Sequence, residues 1–159
     1  MTHQTYYRAD KRIFCDGDVV VSAGEFLAKN PDGSLDVEKV FEEKRPKNLP
    51  PRADCLYVFS AISDAKKHWS KMTGGKLYEV AVADVDVLLR ADMTLVDLAF
   101  RSREVPGHVE ACADRYWRGE CSERPVIEVL VRNATVLSVL SNDEAERRAY
   151  FRSWAITST

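Results

Sequence analysis

The sequence predicts a mixed α+β fold, and three observations lead to that prediction. Short runs of aromatic and β-branched residues are typical of strands. Segments with apolar residues at helical spacing lie between them. The two kinds of segment do not alternate regularly, which argues against a parallel sheet of repeated βαβ units. The 159-residue chain has no internal repeats and suits one domain over residues 1–159.

The first half of the chain contains four strand signals with helical patterns between them. The strands are expected at Thr5–Arg8, Val19–Val21, Leu56–Ser60 and Lys76–Val82. Helical spacing of apolar residues predicts one helix that ends near Lys44 and a second one capped by Ser63 or Asp64. A turn is expected at Asn30–Gly33, and three prolines predict a loop over residues 45–52.

The middle of the second half is dominated by one clear helix. Residues 84–100 contain apolar residues without a decisive period, so no element is assigned to them. Pro106–Trp117 has apolar residues along one side, and Gly119 follows. A glycine just beyond the last turn is typical of a helix end.

The end of the chain predicts two strands and a final helix. Val126–Val131 and Thr135–Leu140 are strand signals joined by a tight turn. Ser141 and Glu144 form a capping-box pattern, which predicts a helix reaching about Trp154.

Composition narrows the class of protein. The 23 basic and 25 acidic side chains give a formal net charge of −2, which argues against holding nucleic acid through bulk electrostatics. The four cysteines form no CxxC pair, which favours reduced thiols over a zinc knuckle or a disulfide framework. No apolar run approaches the roughly 20 residues of a membrane span, and no signal peptide is apparent. We therefore expect a cytoplasmic protein without membrane contact.

Glu128 is the residue that chemistry alone singles out. It lies within an apolar predicted strand, with Val126 and Leu130 on its own face. Burying a carboxylate is costly, and facing a polar cleft is a common way to present a catalytic one. The alternative is an edge-strand glutamate that discourages aggregation. Glu79 raises the same question in a less apolar strand.

Two arginines and two aromatic residues are candidate binding residues. Arg8 ends the first predicted strand beside two tyrosines, and Arg52 follows the proline-rich loop. Such arginines can hold a phosphate or carboxylate through paired hydrogen bonds, and ordinary surface arginines are the alternative. Tyr116 and Trp117 form either an aromatic wall of a ligand cleft or a hydrophobic anchor for their helix.

For the other candidate residues, a structural or surface role is expected. His108 and Cys112 have the spacing of two metal ligands on a helix, but no third ligand stands at a recognisable spacing, so no metal site is expected. His68 is expected on a solvated helix face. No Gly-rich phosphate loop of the Walker or Rossmann type occurs.

Taken together, these segments resemble the small ADP-ribosyltransferase-like domains of bacteria and their phages. The resemblance covers residues 6 to about 139 and is closest to a bacterial branch with a YW-G segment before a glutamate-bearing strand. Rifampicin ADP-ribosyltransferases are more distantly similar. The matching features are Arg8 at the end of an aromatic strand, Arg52 before the strand Leu56–Ser60, and Tyr116–Gly119 before Pro125–Leu130.

The resemblance implies a split, bent β-sandwich with flanking helices, which holds NAD in a cleft as the substrate. It implies that Arg8 contacts the NAD phosphates or ribose, that Ser60 holds the nicotinamide half, and that Glu128 binds the 2′-hydroxyl of the nicotinamide ribose. The other branch has a histidine on the first strand, at the position where this chain has Arg8. An alignment shifted by one residue would place the neighbouring Tyr7 at that position. The expected NAD-binding residues are Tyr7, Arg8, Arg52, Ser60, Tyr116 and Trp117.

The expected function is NAD-dependent ADP-ribosyl transfer, or NAD hydrolysis, with Glu128 stabilising an oxocarbenium-like transition state. Arginine-modifying members carry Glu or Gln two residues before the catalytic Glu, where this chain has Val126. Transfer to arginine is therefore disfavoured, and the acceptor stays open between protein, nucleic acid and small molecule. A toxin or effector role is compatible with this chemistry.

Two other functions are carried as alternatives. One is an inactive protein of the same fold that binds a nucleotide or a partner protein, with an inhibitor role and the C-terminal helix as its contact surface. The other is nucleic-acid modification along a local track of basic residues. That track would consist of Arg45, Lys47, Arg52 and Arg147-Arg148.

Overall fold

The computed structural model describes residues 2–23 and 34–157, and the turn expected at Asn30–Gly33 lies outside them. This part of the chain contains five helices and one sheet of seven strands, paired antiparallel throughout. The strands are β1 (His3–Asp10), β2 (Val19–Val20), β3 (Leu56–Phe59), β4 (Lys76–Ala83), β5 (Val87–Asp92), β6 (Ile127–Val131) and β7 (Ala134–Ser141). The helices are α1 (Ser34–Glu43), α2 (Ile62–Lys71), α3 (Thr94–Arg101), α4 (His108–Trp117) and α5 (Glu144–Thr157). Across the described ranges, no helix is both long and apolar enough to cross a membrane.

The sheet is divided at its centre. The strand order is β2-β7-β4-β1-β3-β6-β5, and in the described residues β1 meets β3 through one register pair, Tyr7 opposite Phe59. By contrast, β1 pairs with β4 along its full length from His3 to Asp10. Arg90 on β5 donates hydrogen bonds to side chains of β1, although two strands lie between them in the sheet. The sheet is therefore strongly curved, and its two halves approach each other.

The strands β6 and β7 are joined by a tight turn, as expected, but they are not neighbours in the sheet. Both exist within about one residue of their predicted bounds, and a short connection at Arg132-Asn133 joins them. They do not pair, because β6 lies between β3 and β5 while β7 lies between β2 and β4. The chain thus crosses from one half of the sheet to the other at this turn.

The helices follow the predicted apolar spacing, but two predicted caps are wrong. No side-chain cap binds the start of α2, which follows Ala61, so neither Ser63 nor Asp64 caps it. Asp143 accepts hydrogen bonds from the first backbone N–H groups of α5, whereas Ser141 belongs to β7. The unassigned residues 84–100 hold a 3₁₀ turn, β5 and most of α3.

Two helical layers flank the divided centre of the sheet. On one side, α1, α3 and α4 bury a cluster that includes Phe41, Leu95 and Tyr116 against β5 and β6. On the other side, α2 places Ala65 and Trp69 against β1 and β4. A cavity opens between these layers where β1 and β3 meet.

Candidate functional site

The cavity at the junction of β1 and β3 has a volume of about 540 Å³. This lies within the range of about 300–1,000 Å³ that is common for small-molecule sites. Its wall is built from β1, β3, β6, α2, the start of α3 and the loop that holds Arg52. The three parts of the wall differ in chemistry: a buried carboxylate, a cationic end and an apolar end.

Glu128 supplies the buried carboxylate. It lies on β6 opposite Phe59 of β3 and Ala91 of β5, and only 6% of its surface is exposed. Because β6 has a neighbour on both sides, the alternative of an edge-strand glutamate is wrong. The side chain lines the cavity, which is the environment that its apolar strand predicted.

One oxygen of this carboxylate carries all of its described contacts. Oε1 of Glu128 accepts a hydrogen bond from the Tyr116 hydroxyl at 2.6 Å and one from Arg52 Nη1 at 3.1 Å. Within residues 2–23 and 34–157, no donor binds Oε2. The carboxylate is therefore held at one oxygen, while the other is left for a ligand in the cavity.

Arg52 is the centre of a buried network behind Glu128. It lies in a 3₁₀ turn just before β3, and its Nε and Nη2 donate to the two oxygens of Glu38 at 3.1 and 3.2 Å. Its guanidinium also packs against the rings of Phe41, Tyr57 and Tyr116, with the last centroid 4.8 Å away. These contacts immobilise the cation.

The protonation states in this network follow from burial and charge. Burial alone would lower the pKa of Arg52, but Tyr116, Glu128, Tyr57 and Glu38 raise it well above its ordinary value. Burial and the Glu128 charge also raise the pKa of Tyr116 well above its usual range. Arg52 is thus a cation and Tyr116 a neutral donor at neutral pH.

Glu38 is a site residue that the sequence analysis missed. It lies on α1 between the buried Val37 and Phe41, and it is itself buried. A charged residue beside the apolar stripe of a helix was the available signal, but exposed glutamates in such positions are common.

The cationic end of the cavity is organised by Asp10. Its carboxylate accepts hydrogen bonds from Arg8 Nε at 2.8 Å and from Arg12 Nη2 at 2.9 Å. Arg8 Nη1 also donates to the Tyr57 carbonyl oxygen at 2.6 Å, which ties β1 to β3. Two cationic side chains thus bind one carboxylate, and Lys11, which donates to the Thr73 hydroxyl, also lines the cavity. Burial lowers the pKa of Arg8, and Asp10 opposes this effect.

The apolar end of the cavity includes Phe59, Met72, Met93 and Val96. His68 borders it, with its ring centroid 5.5 Å from that of Phe59. His68 is exposed, as expected. Its side chain faces the cavity, however, and not open solvent on the helix surface. Partial desolvation, together with the charges of Arg8 and Lys71, lowers the pKa of His68.

The structure brings together Arg8, Arg52, Tyr116 and Glu128 of the predicted site residues. Arg8, Arg52 and Glu128 are among the described residues that line the cavity, whereas Tyr116 is not and joins the site through its hydrogen bond to Glu128. The remaining three predicted residues are not among the described lining residues either. Tyr7 is half-buried in the α2 cluster, and Ser60 is exposed just beyond β3. Trp117 is buried and donates from Nε1 to the Phe41 carbonyl at 2.7 Å, which matches a hydrophobic anchor.

His108 and Cys112, which have the spacing of two metal ligands on a helix, have other roles in the structure. Among the described residues, no group of three or more His, Cys, Asp or Glu side chains could hold a metal ion. His108 hydrogen-bonds Ser102, while Cys112 is buried in the core.

The basic track is also engaged within the chain. Arg45 binds Glu42 and a backbone carbonyl, and Arg147 binds Glu144 and the carbonyl of Ser70. Arg148 also binds Glu144, and Arg52 is buried, so all four arginines proposed for the track already bind groups of the protein.

Comparison of the sequence with protein-family models and with curated proteins found no match. A functional assignment therefore depends on the fold and on the geometry of this cavity.

Proposed function

We propose that the chain binds NAD in this cavity and transfers its ADP-ribose to an acceptor, or to water, with Glu128 as the catalytic carboxylate. The observation that carries the proposal is the one-sided anchoring of Glu128. Oε1 is bound by Arg52 and Tyr116, and Oε2 has no donor in the described part of the chain. A fixed carboxylate with one oxygen toward a ligand can bind a ribose hydroxyl and stabilise a developing positive charge.

The charge distribution of the cavity suits two parts of NAD, the diphosphate and the ribose that carries nicotinamide. Arg8, Lys11 and Arg12 outnumber the single carboxylate at their end, which suits a diphosphate. At the other side, Glu38 and Glu128 outnumber Arg52, which suits a ribose that becomes positively charged. A diphosphate and an oxocarbenium-like ribose need this opposite pair of environments.

The proposed reaction breaks the bond between C1′ of the ribose and the nicotinamide nitrogen. The bonding electron pair leaves with nicotinamide, and the positive charge spreads over C1′ and the ring oxygen of the ribose. Glu128 stabilises this charge, as carboxylates do in glycoside cleavage. Water or an acceptor nucleophile then forms the new bond to C1′ and gives its proton to solvent.

The curved, centrally divided sheet supports the ADP-ribosyltransferase type of β-sandwich as part of this proposal. The cavity lies at that division, where a cleft of the fold would hold NAD. The proposed setting is the cytoplasm, where NAD is present and the free thiols of Cys15, Cys55, Cys112 and Cys121 stay reduced.

The test is incubation with NAD at neutral pH, with free nicotinamide followed by chromatography. Glu128→Gln keeps the shape and removes the charge, so release should fall by about a hundredfold or more. Glu79→Gln is the matched control, because Glu79 is half-buried on β4 and is not among the described lining residues; its release should equal that of the wild type. Intact release by Glu128→Gln would remove this residue from the mechanism.

The ion pair between Arg52 and Glu128 favours a second candidate function, an inactive nucleotide-binding protein of the same fold. A paired carboxylate is less able to stabilise a cation than a lone one. Phe151, exposed on α5, would then be part of a surface for a partner protein. Saturable NAD binding by calorimetry without nicotinamide release would identify this case.

A further inference from the structure

Arg52 binds two carboxylates, but the described residues that line the cavity include only one of them. Two of its nitrogen atoms bind Glu38 and the third, Nη1, binds Glu128. Glu38 is buried on α1 and is not among those lining residues. The proposed reaction gives Glu38 no direct contact with NAD, although it binds the same guanidinium as the catalytic carboxylate.

The second carboxylate changes the charge that the cavity experiences. A one-to-one pair of Arg52 with Glu128 would leave little net charge near Oε2. With Glu38 present, one guanidinium is shared between two carboxylates of the described residues, so these three side chains together keep one net negative charge. Because all three side chains are buried, water screens this charge only weakly.

We propose that Glu38 is a positioning residue that preserves the negative charge of Glu128 by binding Nε and Nη2 of Arg52, the two nitrogens that do not bind Glu128. This inference rests on the proposed function. Glu38 orients the guanidinium through two hydrogen bonds and takes up part of its charge, so that Arg52 fixes Glu128 without neutralising it. The network thereby combines a rigid carboxylate with an anionic one.

The ionisation of Glu38 is then a condition for activity. The groups that act on it are Arg52 before β3, Glu128 on β6 and Glu42 on its own helix. Burial raises the pKa of Glu38, Arg52 acts in the opposite direction, and the two glutamates add to the rise. Protonation of Glu38 on acidification should therefore reduce turnover at a pH above the ordinary carboxyl range.

Glu38→Gln tests the role in turnover. The change keeps the shape of the side chain and removes its charge, so kcat for nicotinamide release should fall about ten- to hundredfold without a rise in KM for NAD. The acid limb that Glu38 produces in the pH profile should also disappear. The matched control is Glu43→Gln at the end of α1, where the glutamate is exposed and is not among the described lining residues; its kcat should be unchanged. A loss confined to KM, or the same loss in both variants, would overturn the proposal.

Binding of ADP, measured by calorimetry, provides a readout that does not need turnover. Removal of one negative charge from the buried network beside the cavity should tighten ADP binding to Glu38→Gln about fivefold. Glu38→Asp keeps the charge and should bind ADP as the wild type does. Equal ADP affinity for the wild type and for Glu38→Gln, both with native melting curves, would contradict the charge-sharing role.

The two readouts separate this inference from the proposed function. ADP binding without nicotinamide release in the wild type would refute the proposed enzyme, while tighter binding by Glu38→Gln would still support the charge sharing. A wild type that neither binds ADP nor releases nicotinamide would overturn both.

Discussion

Arg52 and Glu128 form an ion pair across 76 residues of sequence, with Nη1 and Oε1 3.1 Å apart. Their side chains are 5% and 8% exposed, so the pair is shielded from water. Arg52 comes from the turn before β3, and Glu128 comes from the central part of the β3–β6–β5 half. The pair therefore joins two elements whose relation only folding creates, and it determines the electrostatics of the cavity.

Arg52→Met should destabilise the fold strongly at neutral pH. The change leaves the carboxylates of Glu38 and Glu128 buried without their cation, which typically costs about 3–5 kcal/mol. The free energy of unfolding in urea measures this loss. The loss should shrink as the pH falls, because burial raises the pKa of Glu38 and protonation of this carboxyl removes an uncompensated charge.

The control for Arg52→Met is the triple variant with Glu38→Gln and Glu128→Gln. Neutral amides remove the charge conflict, so the triple variant should recover much of the lost stability. A loss below about 1 kcal/mol, or one that does not change with pH, would show that the network is not held by its charges.

Arg8→Gln should weaken NAD and ADP binding by about tenfold or more, because it removes a positive charge from the end of the cavity proposed for the diphosphate. Asp10 keeps its partner Arg12 in this variant, so the fold should be retained. Calorimetry measures the affinity. The matched control is Arg118→Gln, since Arg118 is 65% exposed and pairs with Glu120 away from the described lining residues. Equal affinities for both variants would show that Arg8 does not take part in binding the diphosphate.

Asp92→Asn should cost about 1–3 kcal/mol of unfolding free energy at pH 7. The fully buried Asp92 carboxylate accepts hydrogen bonds from the backbone N–H groups of Thr94, Ser122 and Val126 at 2.7–2.9 Å. An amide would direct N–H groups toward some of these donors. The measurement is urea unfolding, with exposed Asp114→Asn as a control that should change stability by less than about 0.5 kcal/mol.

The pH dependence gives Asp92 a second signature. Burial alone would raise its pKa, but the hydrogen bonds from Ser122, Val126 and Thr94 outweigh burial and lower it below 3.8. Its stabilising effect is therefore complete above the ordinary carboxyl pKa and is lost as the pH falls through the folded-state pKa. The difference between wild type and Asp92→Asn should narrow below about pH 4. A constant difference would contradict this role.

Much of the secondary structure could be predicted from local patterns. The apolar face of α4, with Val109, Cys112, Ala113 and Tyr116, is buried as its spacing predicts. The local patterns did not predict which strands pair with each other. The tight turn between β6 and β7 was predicted, but each strand pairs with others, because the choice of neighbour depends on which apolar surfaces meet over long sequence distances.

The candidate site shows the same division. Glu128 stood out because a carboxylate in an apolar strand has a desolvation cost that something must offset. Arg12 and His68 could not be assigned to the cavity, because an exposed and a cavity-lining polar residue have the same local pattern. Glu38, which binds Arg52 without being among the described lining residues, was missed for the same reason. Ser60 and Trp117 were matched by position, but one is exposed beyond β3 and the other is a core anchor.

The sequence by itself determined that Glu128 lies on a buried strand and that Arg8 and Arg52 adjoin strands, because strand periodicity is a local property of the chain. The tertiary structure alone decided that Arg52 binds Glu128 and Glu38 together, and that Tyr116 completes the contact. The physical reason is that a buried carboxylate must find its donors in space, and those donors come from a turn and a helix that only the folded sheet brings beside it.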